Sequence, residues 1–397
     1  MSMSTNNLEL FGMFATQDKT ELETDNGDAA ALSIDTTTKK YGAASLRYNG
    51  STAASRKSQF LLNPSGAYNV AVGVWVNVAS STNKVELFGF TAGASARDVG
   101  FGFDGGKCFL ADGGGTIHWT AASAVTTGNW YWCVLHVYNR GGTSESLARA
   151  KYYNETDAGG QNGTLVEDSG WHTVAVSNTL MQYLLMGDAS GGFAGSLDAY
   201  MDGYMVVSAG DEPPICPDFI EFTPTGDSAT NDTWTASGGG SKFADVDEYP
   251  PDDAARISKA SSGIQEFTHS GVSGTIAGAN VLAVGIRAYT KKVGAGFTNL
   301  GVRMRRTTAI ARGNILTTSY DWLSRNWRTL DTEGVGWTDT NVDATEFGVA
   351  TGSGPTNTPT CDSLIMFAAY GPNRVPVTYG GDEAALTPEK YNRQMLI

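Results

Sequence analysis

The feature that most constrains this chain is an alternation of apolar with small or polar residues that recurs along its length. Every second residue is valine in the run NVAVGVWVNV, from Asn69 to Val78. Side chains of a strand point alternately to the two faces of a sheet, so this period of two predicts a strand with an apolar face. No segment of the first 210 residues sustains the 3.6-residue period of an amphipathic helix. The chain is therefore expected to consist almost entirely of strands.

The same pattern predicts many further strands, separated by the turn formers Gly, Asn, Asp and Ser. Short antiparallel strands at this spacing are typical of β-sandwiches. The 49 glycines suit tight turns, and nine tryptophans within a hydrophobic fraction of 41% supply apolar area for large cores. The predicted strands are Ala44–Asn49, Asn69–Val78, Val85–Phe90, Val99–Phe103, Trp130–Tyr138, Leu147–Asn154, Tyr183–Gly187, Tyr200–Ser208, Asp218–Phe222, Ala254–Ser258, Val281–Lys291, Asn299–Arg306, Glu346–Ala350 and Ser363–Tyr370.

The length of 397 residues and a proline pair divide the chain into two domains. Pro213 and Pro214 lack ladder donors, so a linker is predicted there. The predicted fold class is all-β, with two consecutive antiparallel, jelly-roll-like β-sandwich domains. The domains are predicted at 1–210 and 218–370, joined by a linker at 211–217. The tail, 371–397, is either a docking arm or a short helix that begins at Thr387 and folds back.

Composition and charge exclude several classes of function. A net charge of −14 argues against nucleic acid as a partner, because phosphate binding needs clustered Lys and Arg. The N-terminus has no export signal, and no stretch is apolar enough to span a membrane, so a soluble protein is expected. Four cysteines without metal-ligand spacing, Cys108, Cys133, Cys216 and Cys361, are expected to be buried free thiols.

No common catalytic arrangement is found in the sequence. Its four histidines form no metal-ligand pair, and neither a GxSxG nor a phosphate-loop motif occurs. Acidic residues cluster in VDEYPPDD and around Trp337, where two carboxylates could in principle cut glycosidic bonds, but solvated loops are favoured there. We therefore predict no enzymatic activity, no catalytic residues, no cofactor and no metal.

Two motifs of the first domain resemble laminin-G-like, concanavalin-like sandwiches. They are KKYGAASLRYNG, from Lys39 to Gly50, and FAGSLDAYMDGYMVVS, from Phe193 to Ser208. The resemblance implies a sandwich fold and, in some members, a calcium ion at the rim used in ligand recognition. Asp198 and Asp202 would be its candidate ligands here, but four residues along a strand place them too far apart for one ion.

The second domain resembles a module of tailed-bacteriophage virion proteins, through VDEYPPDD and the ending GWTDTNVDATEFGVA. That resemblance implies a non-enzymatic structural component of a phage particle, either a capsid decoration or head fibre or a tail-associated protein. Its partners would be other virion proteins in a homo-oligomer or symmetric assembly. It would be located in the virion after assembly in the host bacterial cytoplasm.

Six residues are candidates for binding. The alternative function, a carbohydrate-binding module for host-surface glycans, would use exposed aromatics in polar surroundings, here Trp119, Trp171 and Trp337. For Trp337 a position in the core is favoured. The basic segment GVRMRRTTAIARG suggests an interface with an acidic neighbouring subunit or, as the favoured alternative, a strand whose charged side faces water; its candidate residues are Arg303, Arg305 and Arg306.

Overall fold

The structure is a computed structural model of the chain. It describes residues 8–12, 24–25, 32–42, 44–50, 56–61, 69–91, 98–138, 146–155, 163–176, 181–188, 195–208, 212–248, 251, 254–271, 280–294, 299–306, 309–315, 321–327, 329–330, 335–352 and 357–371. Nearly all of the regular structure in these residues is antiparallel β-sheet.

The first half of the chain forms two large sheets, called sheet I and sheet II. Sheet I has the strand order β13-β12-β11-β6-β16-β4-β3, with β1 paired to β16 and β14 paired to β12. Its strands are β1 Leu8–Gly12, β3 Leu32–Asp35, β4 Ser45–Gly50, β6 Asn69–Thr82, β11 Trp130–Tyr138, β12 Ser146–Asn154, β13 Thr164–Asp168, β14 His172–Val174 and β16 Ser196–Ser208.

Sheet II has the order β10-β9-β8-β7-β15-β5-β2. Its strands are β2 Thr24–Asp25, β5 Arg56–Leu61, β7 Lys84–Thr91, β8 Val99–Asp104, β9 Lys107–Asp112, β10 Ile117–Ala124 and β15 Tyr183–Asp188.

The second half forms sheets III and IV. Sheet III has the order β19-β20-β29-β22-β25, with β17 paired to β29, and sheet IV has the order β18-β21-β28-β23-β24. The strands of sheet III are β17 Asp218–Phe222, β19 Thr235–Ala236, β20 Ile257–Ser258, β22 Asn280–Val293, β25 Asp321–Trp327 and β29 Thr358–Gly371. Those of sheet IV are β18 Pro224–Asp232, β21 Gly263–His269, β23 Asn299–Arg305, β24 Ala309–Ile315 and β28 Glu346–Thr351. The remaining elements are a 3₁₀ turn at Phe243–Asp245, the β26–β27 ribbon (Thr329–Leu330 and Val335–Gly336) and helix α1, Asp339–Asp343.

The four sheets stack in the order II, I, III, IV, with an apolar layer between each pair. The first interior lies between sheets I and II, and includes Val74 of β6 and Phe90 of β7. The second interior lies between sheets III and IV, and includes Ile286 of β22 and Val349 of β28. A third layer, called the junction, joins sheet I to sheet III; its buried members are Ala71, Trp75, Trp132, Val134, Tyr153, Met205, Val207, Cys216, Phe219, Ala283, Phe367 and Ala369.

Burial on both faces explains why some strands are apolar throughout. In β29, Met366 and Ala368 pack into the second interior, whereas Phe367 and Ala369 pack into the junction. A strand between two other layers has no water-facing side, so its sequence loses the apolar-polar alternation of a half-exposed strand. The nearly continuous apolar runs of β22 and β29 are therefore a consequence of the stack.

The predicted fold class is confirmed, and most predicted strands lie within two or three residues of observed ones. One local prediction is wrong. The segment after Trp337 was expected to be a loop, but it contains α1, whose start is capped by the Thr338 hydroxyl accepting from the Asn341 N–H at 3.1 Å. The helix predicted to begin at Thr387 lies outside the described residues. Residues 212–217, between β16 and β17, contain no strand or helix.

Candidate functional site

The three candidate tryptophans lie in three different places. Trp337 is only 3% exposed and packs in the second interior, so it is not an exposed platform for sugars, and the favoured core position is what the structure shows. Trp119 lies on strand β10 rather than in a loop, and its half-buried ring packs against the first interior. Trp171, just before β14, is half-buried on the opposite face of sheet I. The structure therefore leaves Trp171 as the candidate with polar surroundings.

Trp171 belongs to a cluster that we call the Trp171 patch, formed with His136, Arg149, Asp168 and Glu212. The ring of His136 packs edge-on against the indole, with centroids 4.9 Å apart. The guanidinium carbon of Arg149 lies 5.9 Å from the indole centroid, within the range of a cation–π contact. Arg149 donates through Nε and one terminal nitrogen to the two carboxylate oxygens of Asp168 on β13. The indole is thus held beside a fixed, planar guanidinium–carboxylate pair.

Strand register places these groups together. His136 of β11 lies directly opposite Arg149 of β12, and the same face of β11 carries Trp132 and Val134 of the junction. The patch therefore lies on the face of sheet I that also carries the junction. Arg149 is not among the residues predicted from the sequence. The available signal was the segment LARAKYYN, whose period of two places Arg149 and Lys151 on one face.

Glu212 comes from the segment between the two sandwiches and anchors it to sheet I. Its carboxylate accepts from the Lys151 ammonium at 2.8 and 3.0 Å and lies 3.6 Å from His136 Nδ1. Burial alone would raise the pKa of Glu212, but the adjacent His136 imidazole and the Lys151 charge outweigh it and lower the pKa to about 2. Burial likewise opposes ionisation of Asp168, yet its bonds from Arg149 hold that pKa below its usual value. Both carboxyl groups are therefore ionised at neutral pH.

The basic segment forms ion pairs within this chain. Arg303 and Arg305 lie on β23, on the face opposite to Val302 and Met304 of the second interior. Both donate to Glu266, whose side chain is fully buried beneath them. Arg305 also binds Glu346, and Arg306 donates to Asn341 of α1. The alternating strand is thus what the structure shows. The described acidic partners of Arg303 and Arg305 belong to the same chain, and an interface of this segment with a neighbouring subunit stays a prediction.

Asp198 and Asp202 do not form a common calcium site. Asp198 is bound by both side-chain nitrogens of Arg47, each at 2.8 Å. Asp202 is fully buried and accepts the backbone N–H groups of Lys40 and Tyr41, each at 2.8 Å. Each carboxylate is therefore committed to partners of its own. Within the described ranges, no group of three or more His, Cys, Asp or Glu residues is placed to hold a metal ion.

No helix in the described part of the chain is long and apolar enough to cross a membrane.

Comparisons with known proteins return distant likenesses. No protein-family model matches the chain, and no curated protein sequence matches it. A protein of unknown function from Shewanella oneidensis MR-1 is 15% identical over 54% of this chain and 93% of its own, with a TM-score of 0.32. Lectin II from Ulex europaeus is 10% identical over 50% of this chain and 99% of its own, with a TM-score of 0.28.

A third structure concerns botulinum neurotoxin type C, whose cell entry depends upon interaction with two ganglioside molecules. It is 8% identical, covers 89% of this chain and 97% of its own, and has a TM-score of 0.32. At such low TM-scores these likenesses carry no functional assignment, so function must be inferred from the chain itself.

Proposed function

We propose that this protein is a non-catalytic glycan-binding protein and that the Trp171 patch is its recognition site. The observation that supports this most is the half-buried indole of Trp171 beside the Arg149–Asp168 pair. Arg149 lies within cation–π range of this indole, and Asp168 binds the same guanidinium.

Sugar chemistry fits this combination of groups. A pyranose presents an apolar face of C–H groups, which packs on an aromatic ring, and a rim of hydroxyls, which need directed polar partners. Trp171 supplies the first, while Arg149 supplies donors and Asp168 supplies acceptors. Because these side chains are held by hydrogen bonds on a sheet, little conformational entropy is lost when a ligand binds.

The charge state of the patch favours binding over hydrolysis. A glycosidase needs one carboxyl group with a raised pKa, so that it carries a proton to the leaving oxygen at neutral pH. The cations beside Asp168 and Glu212 instead lower the pKa of both carboxyl groups. Neither is therefore suited to act as the general acid.

A glycan array followed by calorimetry with the best ligand tests the proposal. Substitution Trp171→Ala should weaken binding about tenfold or more, because it removes the apolar platform. Leu165→Ala is the matched control, since Leu165 is 46% exposed on β13 and is not a member of the patch. Binding unchanged by Trp171→Ala, or lost equally in the control, would show that another surface is used.

A second candidate function is a structural component of a phage particle, as the motifs of the second domain imply. The observation that favours it is the continuous stack of four sheets, because a rigid body with variable loops suits repeated packing against neighbours in a symmetric assembly. Mass spectrometry of purified virions should then find the protein in fixed stoichiometry with other virion proteins, and its absence from such particles would remove this candidate. The two roles are compatible, since a particle protein can also bind host glycans.

A further inference from the structure

The charges at the Trp171 patch form two ion pairs, and each pair exposes its acid more than its base. Arg149 pairs with Asp168, and their side chains are 14% and 23% exposed. Lys151 pairs with Glu212, and their side chains are 7% and 34% exposed. The two carboxylates therefore present more of their surface to solvent, and to a ligand, than the two cations do.

Within these pairs the two cations are matched by the two acids. Asp168 accepts from two nitrogens of Arg149, and both carboxylate oxygens of Glu212 accept from the Lys151 ammonium. Burial opposes ionisation of both acids, but the neighbouring bases outweigh it, so the pKa of Asp168 lies below its usual value and that of Glu212 is about 2. Both acids are ionised at neutral pH, and the two pairs together carry no net charge.

The exposed acids can still accept hydrogen bonds. A carboxylate has about four lone-pair sites. In the described part of the chain, Asp168 Oδ1 accepts from Arg149 and from the Gly170 N–H at 2.9 Å, whereas Oδ2 accepts from Arg149. A sugar hydroxyl can donate to such an oxygen, but an ionised carboxylate on a sugar can only accept. The chemistry at this edge of the indole therefore suits a ligand that donates hydrogen bonds.

The charge of the whole chain acts in the same direction. The net charge is −14 at pH 7. A negative field lowers the local concentration of acidic ligands and slows their association. Local and global electrostatics therefore both disfavour an anionic ligand.

We propose that the Trp171 patch takes uncharged saccharides and rejects acidic ones, a selectivity that rests on the glycan-binding function proposed above. An uncharged pyranose packs its C–H face on Trp171 and donates hydroxyls to the exposed carboxylates. A uronic acid in the same position brings a further anion beside Asp168 and Glu212. Neither ion pair holds an unmatched cation to offset that anion, so its desolvation and repulsion are uncompensated.

The test compares matched oligosaccharides on an array and then by calorimetry with the full chain. The neutral members are glucose, galactose and mannose oligomers, and the acidic members are the corresponding glucuronate, galacturonate and mannuronate oligomers. Measurements at about pH 8 lie above the range in which histidine side chains are ordinarily protonated. In every pair of which a member binds, the acidic member should bind about tenfold more weakly or worse. Added salt should narrow the difference, because it screens exposed charges.

Asp168→Asn tests whether the patch itself sets this preference. The variant removes one anion but keeps a side-chain oxygen that can accept from Arg149, so the preference for the neutral member should shrink by about threefold or more. Asp198→Asn is the matched control, since Asp198 also binds two nitrogens of an arginine, Arg47, but lies on β16 outside the patch. It changes the net charge equally and should leave the preference unchanged.

The outcomes separate this selectivity from the function on which it rests. An acidic member that binds as well as its neutral counterpart, or better, would overturn the selectivity and leave glycan binding in place. Binding of no saccharide of either kind would remove the proposed function and the selectivity with it. A preference that responds equally to Asp168→Asn and Asp198→Asn would assign it to the net charge of the chain and overturn the role of the patch.

Discussion

The two faces of sheet I bury apolar side chains against different partners, and they do so by different means. On one face, the first interior is a broad layer of aliphatic and aromatic groups, such as the stacked rings of Phe88 and Phe101 at 5.0 Å. On the other face, the junction is smaller and depends on directed contacts. There the indole N–H of Trp75 donates to the Pro217 carbonyl at 2.8 Å, and the Tyr41 hydroxyl donates to Asp218 at 2.6 Å.

The junction also depends on residues that leave space. A Cβ on Gly73 would lie 2.0 Å from the Trp132 ring, and one on Gly203, where φ is +54°, would lie 2.7 Å from the Phe219 ring. The rings of Trp132 and Phe219 can approach the backbone of sheet I this closely only because these positions lack side chains. Nondirectional burial thus builds the first interior, whereas the junction needs particular residues at particular positions.

The largest predicted effect comes from removing the central aromatic of the junction. Trp75→Ala should destabilise the protein by about 3–5 kcal/mol, because it leaves a cavity and removes the shorter of the two hydrogen bonds to the Pro217 carbonyl, which also accepts from the Tyr41 hydroxyl. It should also uncouple the two sandwiches, so that calorimetry shows two unfolding transitions. The control Phe101→Ala removes an aromatic ring from the first interior. It should lower stability, but the two sandwiches should still unfold in a single transition. A single transition in Trp75→Ala would contradict this role of the junction.

The second prediction concerns pH. Burial raises the pKa of Asp202 to about 7, although the backbone N–H groups of Tyr41 and Lys40 favour its charged form and only partly offset burial; nearby Glu221 adds to the rise. Because the folded-state pKa exceeds the unfolded value, this group's stabilising contribution is complete at acid pH and is lost as pH rises through about 7. We expect the free energy of unfolding to fall by about 2–3 kcal/mol from pH 5 to pH 9 on this account.

The control for the pH prediction is Asp202→Asn, which keeps a carbonyl acceptor for the two backbone N–H groups but does not titrate. Urea unfolding across this pH range should show a flatter profile for the variant. Equal slopes in the two proteins would assign the pH dependence to other groups.

The smallest predicted effect tests one hydrogen bond at the edge of the junction. Tyr41→Phe should cost about 1–2 kcal/mol, since it removes a donor to the Asp218 carboxylate while keeping the ring contact with Phe219 at 5.4 Å. Tyr152→Phe is the comparison in the first sandwich, where the hydroxyl makes longer hydrogen bonds, to the Ser123 carbonyl at 3.1 Å and to the Glu167 carboxylate at 3.4 Å. In urea unfolding, Tyr152→Phe should lose less stability than Tyr41→Phe. A larger loss of stability in Tyr152→Phe would reverse the contrast between the two regions.

Much of the fold was predictable from local sequence, and two of the missed elements lack a pattern for different reasons. Predicted strands Trp130–Tyr138 and Asp218–Phe222 have the bounds of β11 and β17. By contrast β18, PTGDSATND, was missed because an exposed edge strand carries little apolar pattern. The helix α1 was missed because five residues are too short to show a helical period.

The candidate site was less predictable. Tryptophans can be found in a sequence, but their exposure depends on what packs over them, and this separated buried Trp337 from half-buried Trp171. Glu212 reaches Lys151 from a segment 61 residues away, and no local pattern encodes that pairing. The same holds for Glu266, which lies 37 and 39 residues before the two arginines that cover it.

By itself the sequence determined that this protein is an all-β protein of sandwiches, because side-chain alternation with a period of two is a local property of the chain. Tertiary structure alone decided that sheets I and III share a junction and that Trp171 lies beside Arg149. Those arrangements depend on strand order and on the spacing between layers. Both arise from contacts between residues far apart in the chain, and a single strand carries no record of them.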